Sequence, residues 1–141
     1  MTFGQKKMTD VLTIIPQRPP FVFVDEIIYA DEQSAEASYV VKEDCPLVSN
    51  HILPLAGVLE HVAQSCAARI GYLQSAQNEP IRIGYIGAVK KITLNRAPSV
   101  GEHLVTKVTL LESVMDISLL QCDTFVEDQM IAQTTIKLAL V

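Results

Sequence analysis

The sequence predicts an α+β fold in which an antiparallel sheet of five or six strands wraps around one long central helix. Residues 55–74 are rich in alanine and leucine, and their apolar residues recur at helical spacing. Runs of β-branched and aromatic residues, separated by turn residues, precede and follow this segment. A single helix cannot bury its apolar side alone, whereas a twisted sheet of that size can curl around it. The 141 residues suit one domain over 1–141.

The chain before the long helix is predicted to form a short helix and a β-hairpin. Thr9 is placed to cap a helix over residues 10–15, which Pro16 ends. Residues 21–29 and 35–41 are strand-like, and the polar residues 31–34 between them suit a turn.

The chain after the long helix is predicted to complete the sheet as an antiparallel meander. Residues 81–94, 102–114 and 115–141 are strand-like, and the last segment folds back near residues 127–129, so this half supplies four strands. Their alternating pattern leaves an exposed sheet edge that favours pairing with a second subunit.

Composition excludes several classes of function. A net charge of −5 argues against nucleic acid as the main partner. Residues 1–8 are polar and unlike a signal peptide, and no apolar run approaches a membrane span, so we expect a cytoplasmic protein. Cys45, Cys66 and Cys122 are odd in number and lack metal-like spacing, so disulfides are not expected. Cys66 on the helix and Cys122 in a strand-like run are predicted to be buried rather than nucleophilic. Neither a metal nor an organic cofactor is predicted.

The predicted helix carries one stripe that is unlike an ordinary solvent-facing side. At about 100° per residue the stripe contains a carboxylate and an amide among small residues: Glu60, Gln64, Ala67 and Gly71, flanked by Ala56 and Ala63. Partial desolvation favours the neutral form of a carboxylic acid, which suits general acid chemistry. The alternative is that the stripe faces water and that Glu60 and Gln64 are ordinary surface residues, but solvent-facing helix stripes usually carry more charge than this one.

The start of the helix is a second candidate feature. The amides of Ala56, Gly57 and Val58 lie in the first turn, where N–H groups lack helical partners and the helix dipole is positive. Such groups suit a thioester carbonyl oxygen or a developing oxyanion. Gly57 is equally consistent with a glycine kept small for packing.

Three histidines are candidates for a catalytic base. His51 is the best placed, because the loop that leads into the helix can bring its ring near the helix start. His61 is about 100° from Glu60 around the helix and is expected at its edge. His103 is expected to be exposed.

Two segments show a resemblance to a known family. "IIPQRPPFVFVD" at residues 14–25 resembles the opening "LPHRYPFLLVD" pattern of the β-hydroxyacyl-acyl-carrier-protein dehydratases, with Gln17 where histidine is usual. "AGVLEHVAQ" at residues 56–64 resembles the start of their central helix, where a carboxylate and a glutamine stand four apart. "LEHVAQSCAARIGY" at residues 59–72 is most similar to the divergent dehydratase-like proteins of aryl-polyene and flexirubin-type pathways.

The resemblance implies a hotdog fold and a syn-type loss of water from a 3-hydroxyacyl thioester, at a site shared between two subunits. It implies Glu60 as the acid, Gln64 as the residue that orients it, His51 as the base, and an amide of Gly57 or Val58 on the thioester. The family histidine lies in "GHFPxxPxxPG", whereas "HILPLAG" at residues 51–57 is shorter. A non-catalytic subunit of a heterodimeric dehydratase is therefore one alternative, and an acyl thioesterase on the same fold is another.

The expected partners are an acyl-carrier-protein-bound or CoA-bound acyl substrate and a second hotdog subunit, in a homodimer or heterodimer. An acidic carrier protein would need a local basic rim, for which the candidates are Arg18, Arg69, Lys90, Lys91 and Arg96. Solvated surface charge is the alternative for each of them.

Overall fold

The computed structural model describes residues 10–141, which form one long helix and a six-stranded antiparallel sheet. The helix, α1, spans Leu55–Ala76. The strands are β1 (Glu26–Ala30), β2 (Ser34–Val40), β3 (Gly84–Leu94), β4 (His103–Val114), β5 (Ile117–Val126) and β6 (Gln129–Leu140). The order across the sheet is β1-β2-β4-β5-β6-β3. This arrangement confirms the predicted α+β hotdog fold.

The core lies between α1 and one face of the sheet, and α1 contacts β1, β2, β3, β4 and β5. Side chains alternate between buried and half-buried along β2 and β5, as expected for strands with one covered face. Cys66 and Cys122 are buried, as predicted, and Cys45 is buried as well.

Strand β1 is shorter than predicted, because it begins at Glu26 rather than at residue 21. Phe23 is fully buried, but its backbone N–H and C=O are bonded to the side chains of Gln64 and His61 on α1. With these backbone groups bonded to the helix, residues 21–23 run beside α1 instead of joining the ladder.

The predicted meander is wrong for β3. This strand pairs with β6 at the far edge of the sheet, while β4 pairs with β2. The connection 95–102 carries the chain past the start of α1, where Leu53 N–H donates to Pro98 O at 2.9 Å. Because β3 and β6 are far apart in the chain, no local sequence pattern indicates that they pair.

The N-terminal segment differs from the prediction in its cap and its helix type. The predicted cap, Thr9, lies outside the described residues. Asp10 caps a 3₁₀ helix over Val11–Thr13, its Oδ1 accepting from Leu12 N–H at 2.9 Å.

No helix in the described part of the chain combines the length and the apolar character needed to cross a lipid bilayer.

Candidate active site

The two polar residues of the predicted stripe meet on the surface of α1. Gln64 Nε2 donates to Glu60 Oε2 at 2.8 Å, one turn apart along the helix. Glu60 is half-buried, whereas only 1% of Gln64 is exposed. Glu60 Oε1 has no bonding partner among residues 10–141, so it remains available to a ligand.

The orientation of the Gln64 amide is fixed by two bonds to the backbone of residues 21–23. Its Oε1 accepts from Phe23 N–H at 2.7 Å, and its Nε2 donates to Phe21 O at 3.0 Å. Reversing the amide would place like groups against each other at both contacts. Gln64 therefore always presents an N–H donor to Glu60.

His61 is a core residue, so the prediction that it lies at the helix edge is wrong. Its ring is fully buried, with Nδ1 2.7 Å from Phe23 O and Nε2 2.9 Å from Thr106 Oγ1. Burial lowers the pKa of His61 to about 4, while the bond to Phe23 and the charge of Asp25 raise it in part.

The neutral ring of His61 completes a directed chain of hydrogen bonds. Because Phe23 O can only accept, Nδ1 carries the proton and Nε2 accepts from the Thr106 hydroxyl. Thr106 Oγ1 also lies 2.7 Å from Thr124 Oγ1. Because the Thr106 hydroxyl proton is used on His61, the Thr124 hydroxyl donates to Thr106 Oγ1. The sequence gives one indication that these two threonines are buried: both stand at the same alternating positions as the inward-facing apolar residues of β4 and β5.

His51 is not brought to the Glu60–Gln64 pair within one chain. Its backbone has a positive φ of 63°, and its side chain is 74% exposed, with Nδ1 2.9 Å from Glu43 Oε2. His51 is therefore a solvent-facing residue of the chain that leads into α1. His103 is exposed on β4, as predicted.

The first turn of α1 departs from the prediction for Gly57 and Val58. Their N–H groups donate to Pro54 O at 2.9 and 3.0 Å, so these amides are already paired. A Cβ at Gly57 would overlap the buried side chain of Leu53, which favours packing as the reason for glycine. Ala56 is exposed, and its N–H has no partner in the described chain, so of the three predicted amides it is the open one.

A small cleft with a mainly apolar lining lies between the start of α1 and the sheet. Leu55, Val58 and Leu59 of α1 line one side, with Ile92 of β3 and Cys122 of β5 opposite. The apolar lining beside the helix start favours an alkyl group over a charged group.

The predicted basic rim holds only in part. Arg69 is buried, donates from Nη2 to Glu32 O at 2.7 Å, and has its pKa lowered by burial, so it cannot belong to a surface rim. Arg96 is paired with Glu102 at 2.8 Å. Arg18, Lys90 and Lys91 are exposed. Among residues 10–141, no His, Cys, Asp and Glu side chains gather into a group that would hold a metal ion.

A family model and several known proteins are similar to this chain. The family model ApeP-like, described as ApeP dehydratase, matches residues 9–140. An uncharacterized thioester dehydrase of Halalkalibacterium halodurans is 30% identical over 103 residues, which are 70% of this chain and 65% of that protein. The 3-hydroxyacyl-acyl-carrier-protein dehydratase FabZ of Wolbachia sp. subsp. Brugia malayi is 22% identical over 94% of each chain.

Solved structures share the fold. A chain of the dehydratase heterocomplex ApeI:P from Xenorhabdus doucetiae superposes with a TM-score of 0.88 at 15% identity, covering 94% of this chain and 91% of that one. A hypothetical thioesterase with coenzyme A from Streptococcus pneumoniae has a TM-score of 0.66 at 11% identity, covering 82% and 84%.

Proposed function

Because the chain belongs to the ApeP-like family of dehydratases, we propose that it removes water from a 3-hydroxyacyl thioester to form a 2-enoyl thioester. The observation that carries the proposal is the half-buried carboxyl of Glu60, held by Gln64 at 2.8 Å with one oxygen open. Glu60 is the only acidic residue on α1, so it is the acid that this helix offers to a substrate.

Glu60 acts as the general acid on the leaving hydroxyl group. Gln64 donates to Oε2, so a proton on the carboxyl resides on Oε1, the oxygen that remains open. Transfer of that proton to the C3 hydroxyl lets it leave as water, while a base removes the proton from C2. The open amide of Ala56 at the start of α1 is the group available to polarise the thioester carbonyl.

The base comes from a second subunit. His51 does not contact Glu60 within its own chain, but its exposed ring is accessible to another chain. Either a second copy brings its His51 to this Glu60, or a different hotdog chain supplies the histidine. The Xenorhabdus relative is a dehydratase heterocomplex, which favours the second arrangement.

The substrate is carried by an acyl-carrier protein or by CoA, in fatty-acid-type or polyene-type biosynthesis in the cytoplasm. The FabZ relatives are named for acyl-carrier-protein substrates, which favours the carrier protein. Exposed Lys90 and Lys91 on β3 directly precede Ile92, which lines the apolar cleft. They offer contacts for an acidic carrier.

Two other functions compete with this proposal. A non-catalytic hotdog subunit would keep the fold and the acyl cleft without turning over substrate, and the position of His51 favours it. An acyl thioesterase would use Glu60 to activate water, and the likeness to a hypothetical thioesterase shows that this fold is shared with that class.

Product analysis separates the three functions. The full chain is incubated with a 3-hydroxyacyl thioester of the carrier protein, alone and with any dehydratase-like chain that co-purifies with it, and the products are separated by mass. We expect a 2-enoyl thioester, 18 Da lighter than the substrate by loss of water. Free thiol without enoyl product would establish a thioesterase. Enoyl product that forms only with the partner and survives Glu60→Gln would establish a non-catalytic subunit.

A further inference from the structure

We propose that His61 is a positioning residue for Glu60: its ring ties the Phe23 backbone to the sheet, so that Gln64 holds Glu60 in one orientation. The proposal rests on the proposed function, because it takes Glu60 as the acid. His61 contacts neither the open oxygen of Glu60 nor the apolar cleft.

Residues 21–23 need this support because no strand provides it. The first backbone bond to β2 is made by Asp25, whose N–H donates to Ser38 O at 2.7 Å, so residues 21–23 lack the hydrogen bonds of a neighbouring strand. Phe23 N–H donates to Gln64, and Phe23 O accepts from His61, so two helix side chains satisfy this buried residue.

Among the hydrogen bonds of Phe21 and Phe23 to α1, the bond to His61 is the one that continues into the sheet. Gln64 bonds only within α1 and to residues 21–23, so these groups could shift together with the segment. His61 continues through Thr106 on β4 to Thr124 on β5, which are directly paired across the two strands. The chain of bonds therefore fixes Phe23 relative to the centre of the sheet.

Ring packing holds the imidazole in the plane that these bonds require. Tyr39 of β2 lies between the other two rings, with centroids 5.6 Å from Phe23 and 5.8 Å from His61 and interplanar angles of 18° and 24°. Stacking from Tyr39 and hydrogen bonds at both nitrogens leave the ring one orientation.

The consequence for Glu60 follows from the amide of Gln64. Phe21 O and Phe23 N–H set the orientation of the amide, and the amide sets Glu60 Oε2. Loosening Phe23 therefore rotates the carboxyl away from the substrate without removing it. Misplacing a catalytic group by about 1 Å costs up to about a hundredfold in rate.

The first test compares turnover in four variants of the full chain, assayed in the assembly that is active. His61→Phe removes both ring bonds, and Thr106→Val removes the donor to Nε2 while keeping the shape. Thr106→Ser keeps the donor, and Ser65→Ala is the matched control, since the buried Ser65 hydroxyl donates only to His61 O within α1.

We expect His61→Phe and Thr106→Val to lower kcat by about tenfold to a hundredfold while KM stays within about twofold. Thr106→Ser and Ser65→Ala keep kcat within about twofold of the unmodified protein. Such a pattern separates orientation of the acid from a general loss of structure. Unmodified kcat in both His61→Phe and Thr106→Val, with activity still lost in Glu60→Gln, overturns the positioning role and leaves the function standing. If His61→Phe fails to fold, the two Thr106 variants decide alone.

The second test needs no activity, so it stands if the proposed function fails. Nitrogen NMR of the full chain is expected to show His61 neutral at pH 7 with the proton on Nδ1. In Thr106→Val, but not in Ser65→Ala, the side-chain amide resonances of Gln64 shift, since Phe23 links the two side chains. Unchanged Gln64 resonances in Thr106→Val would contradict the link.

Discussion

Glu60 and His61 are adjacent in the chain, but their surroundings give them different chemistry. Glu60 is half-buried with one oxygen open, whereas the His61 ring is wholly buried with both nitrogens bonded. A rotation of about 100° around α1 separates the two side chains. We therefore assign proton transfer in the proposed reaction to Glu60, while His61 is held neutral in the core.

The buried neutral ring predicts a specific dependence of stability on pH. Desolvation lowers the pKa of His61 from 6.5 to about 4 in the folded protein, against smaller opposing effects of the bond to Phe23 and the charge of Asp25. The unfolded chain binds the proton more readily, so this contribution is fully present above about pH 6.5 and is lost as the pH falls towards about 4. We expect the free energy of unfolding to fall by roughly 2–3 kcal/mol between about pH 7 and about pH 4.5 through this group.

Urea denaturation of the unmodified protein, His61→Phe and His103→Gln at both pH values measures this contribution. His103 is exposed, so its variant should keep the pH dependence of the unmodified protein. In His61→Phe, the fall in the free energy of unfolding between the two pH values should be smaller by roughly 2–3 kcal/mol. An equal fall in all three proteins would contradict a neutral buried His61.

At the scale of the element, α1 is positioned by close contacts as well as by its apolar side. Gly71 lies where residues 11–15 cross the helix, and a Cβ there would overlap the backbone oxygen of Ile14. A small residue at this end of the stripe is therefore explained by packing, whereas Glu60 and Gln64 at the other end form the candidate site.

Gly71→Ala is expected to destabilise the protein by about 1–3 kcal/mol. Alanine is favoured over glycine in a helix by about 1 kcal/mol. The overlap of its Cβ with the Ile14 carbonyl outweighs this gain, because a backbone carbonyl cannot move aside as a side chain can. Gly87→Ala is the control, because a Cβ there meets Lys137 O at an ordinary 3.7 Å. Urea denaturation measures both variants, and a stabilised Gly71→Ala would show that the helix is free to shift.

Features set by local pattern were predictable from the sequence, and features set by distant contacts were not. Helix α1 begins at Leu55 and ends at Ala76, two residues beyond the prediction, since its apolar spacing is a local property. The Glu60–Gln64 contact follows from helical geometry alone. The role of His61 depends on Phe23 and Thr106, which are 38 and 45 residues away, so no local pattern contains it. The same reason applies to β3, whose partner β6 lies beyond two other strands.

At the scale of the whole molecule, the sheet ends in β3, an edge strand with exposed apolar side chains: Tyr85, Ile86, Val89 and Ile92. A long apolar edge offers unpaired backbone groups and favours pairing with another chain. An edge-to-edge pair through β3 would also place a second subunit beside the apolar cleft, which Ile92 lines.

Val89→Lys is expected to weaken association, since it places a charge within the β3 edge. Val89 is 39% exposed on this edge. The control is Met115→Lys, because Met115 is an apolar residue that is 97% exposed on the turn between β4 and β5, away from β3. Sedimentation equilibrium of the assembly that is active should give the same mass for the unmodified protein and Met115→Lys, and a lower mass for Val89→Lys. An unchanged mass for Val89→Lys would place the interface elsewhere.

The initial rate of 2-enoyl thioester formation in Glu60→Gln tests the central claim most directly. Glutamine keeps the size of the side chain but cannot protonate the leaving hydroxyl, so the rate should fall by about a hundredfold or more. The control is Glu79→Gln, which alters an exposed acid just beyond α1 and should leave the rate unchanged. A Glu60→Gln protein that forms the enoyl product at the unmodified rate would contradict Glu60 as the acid.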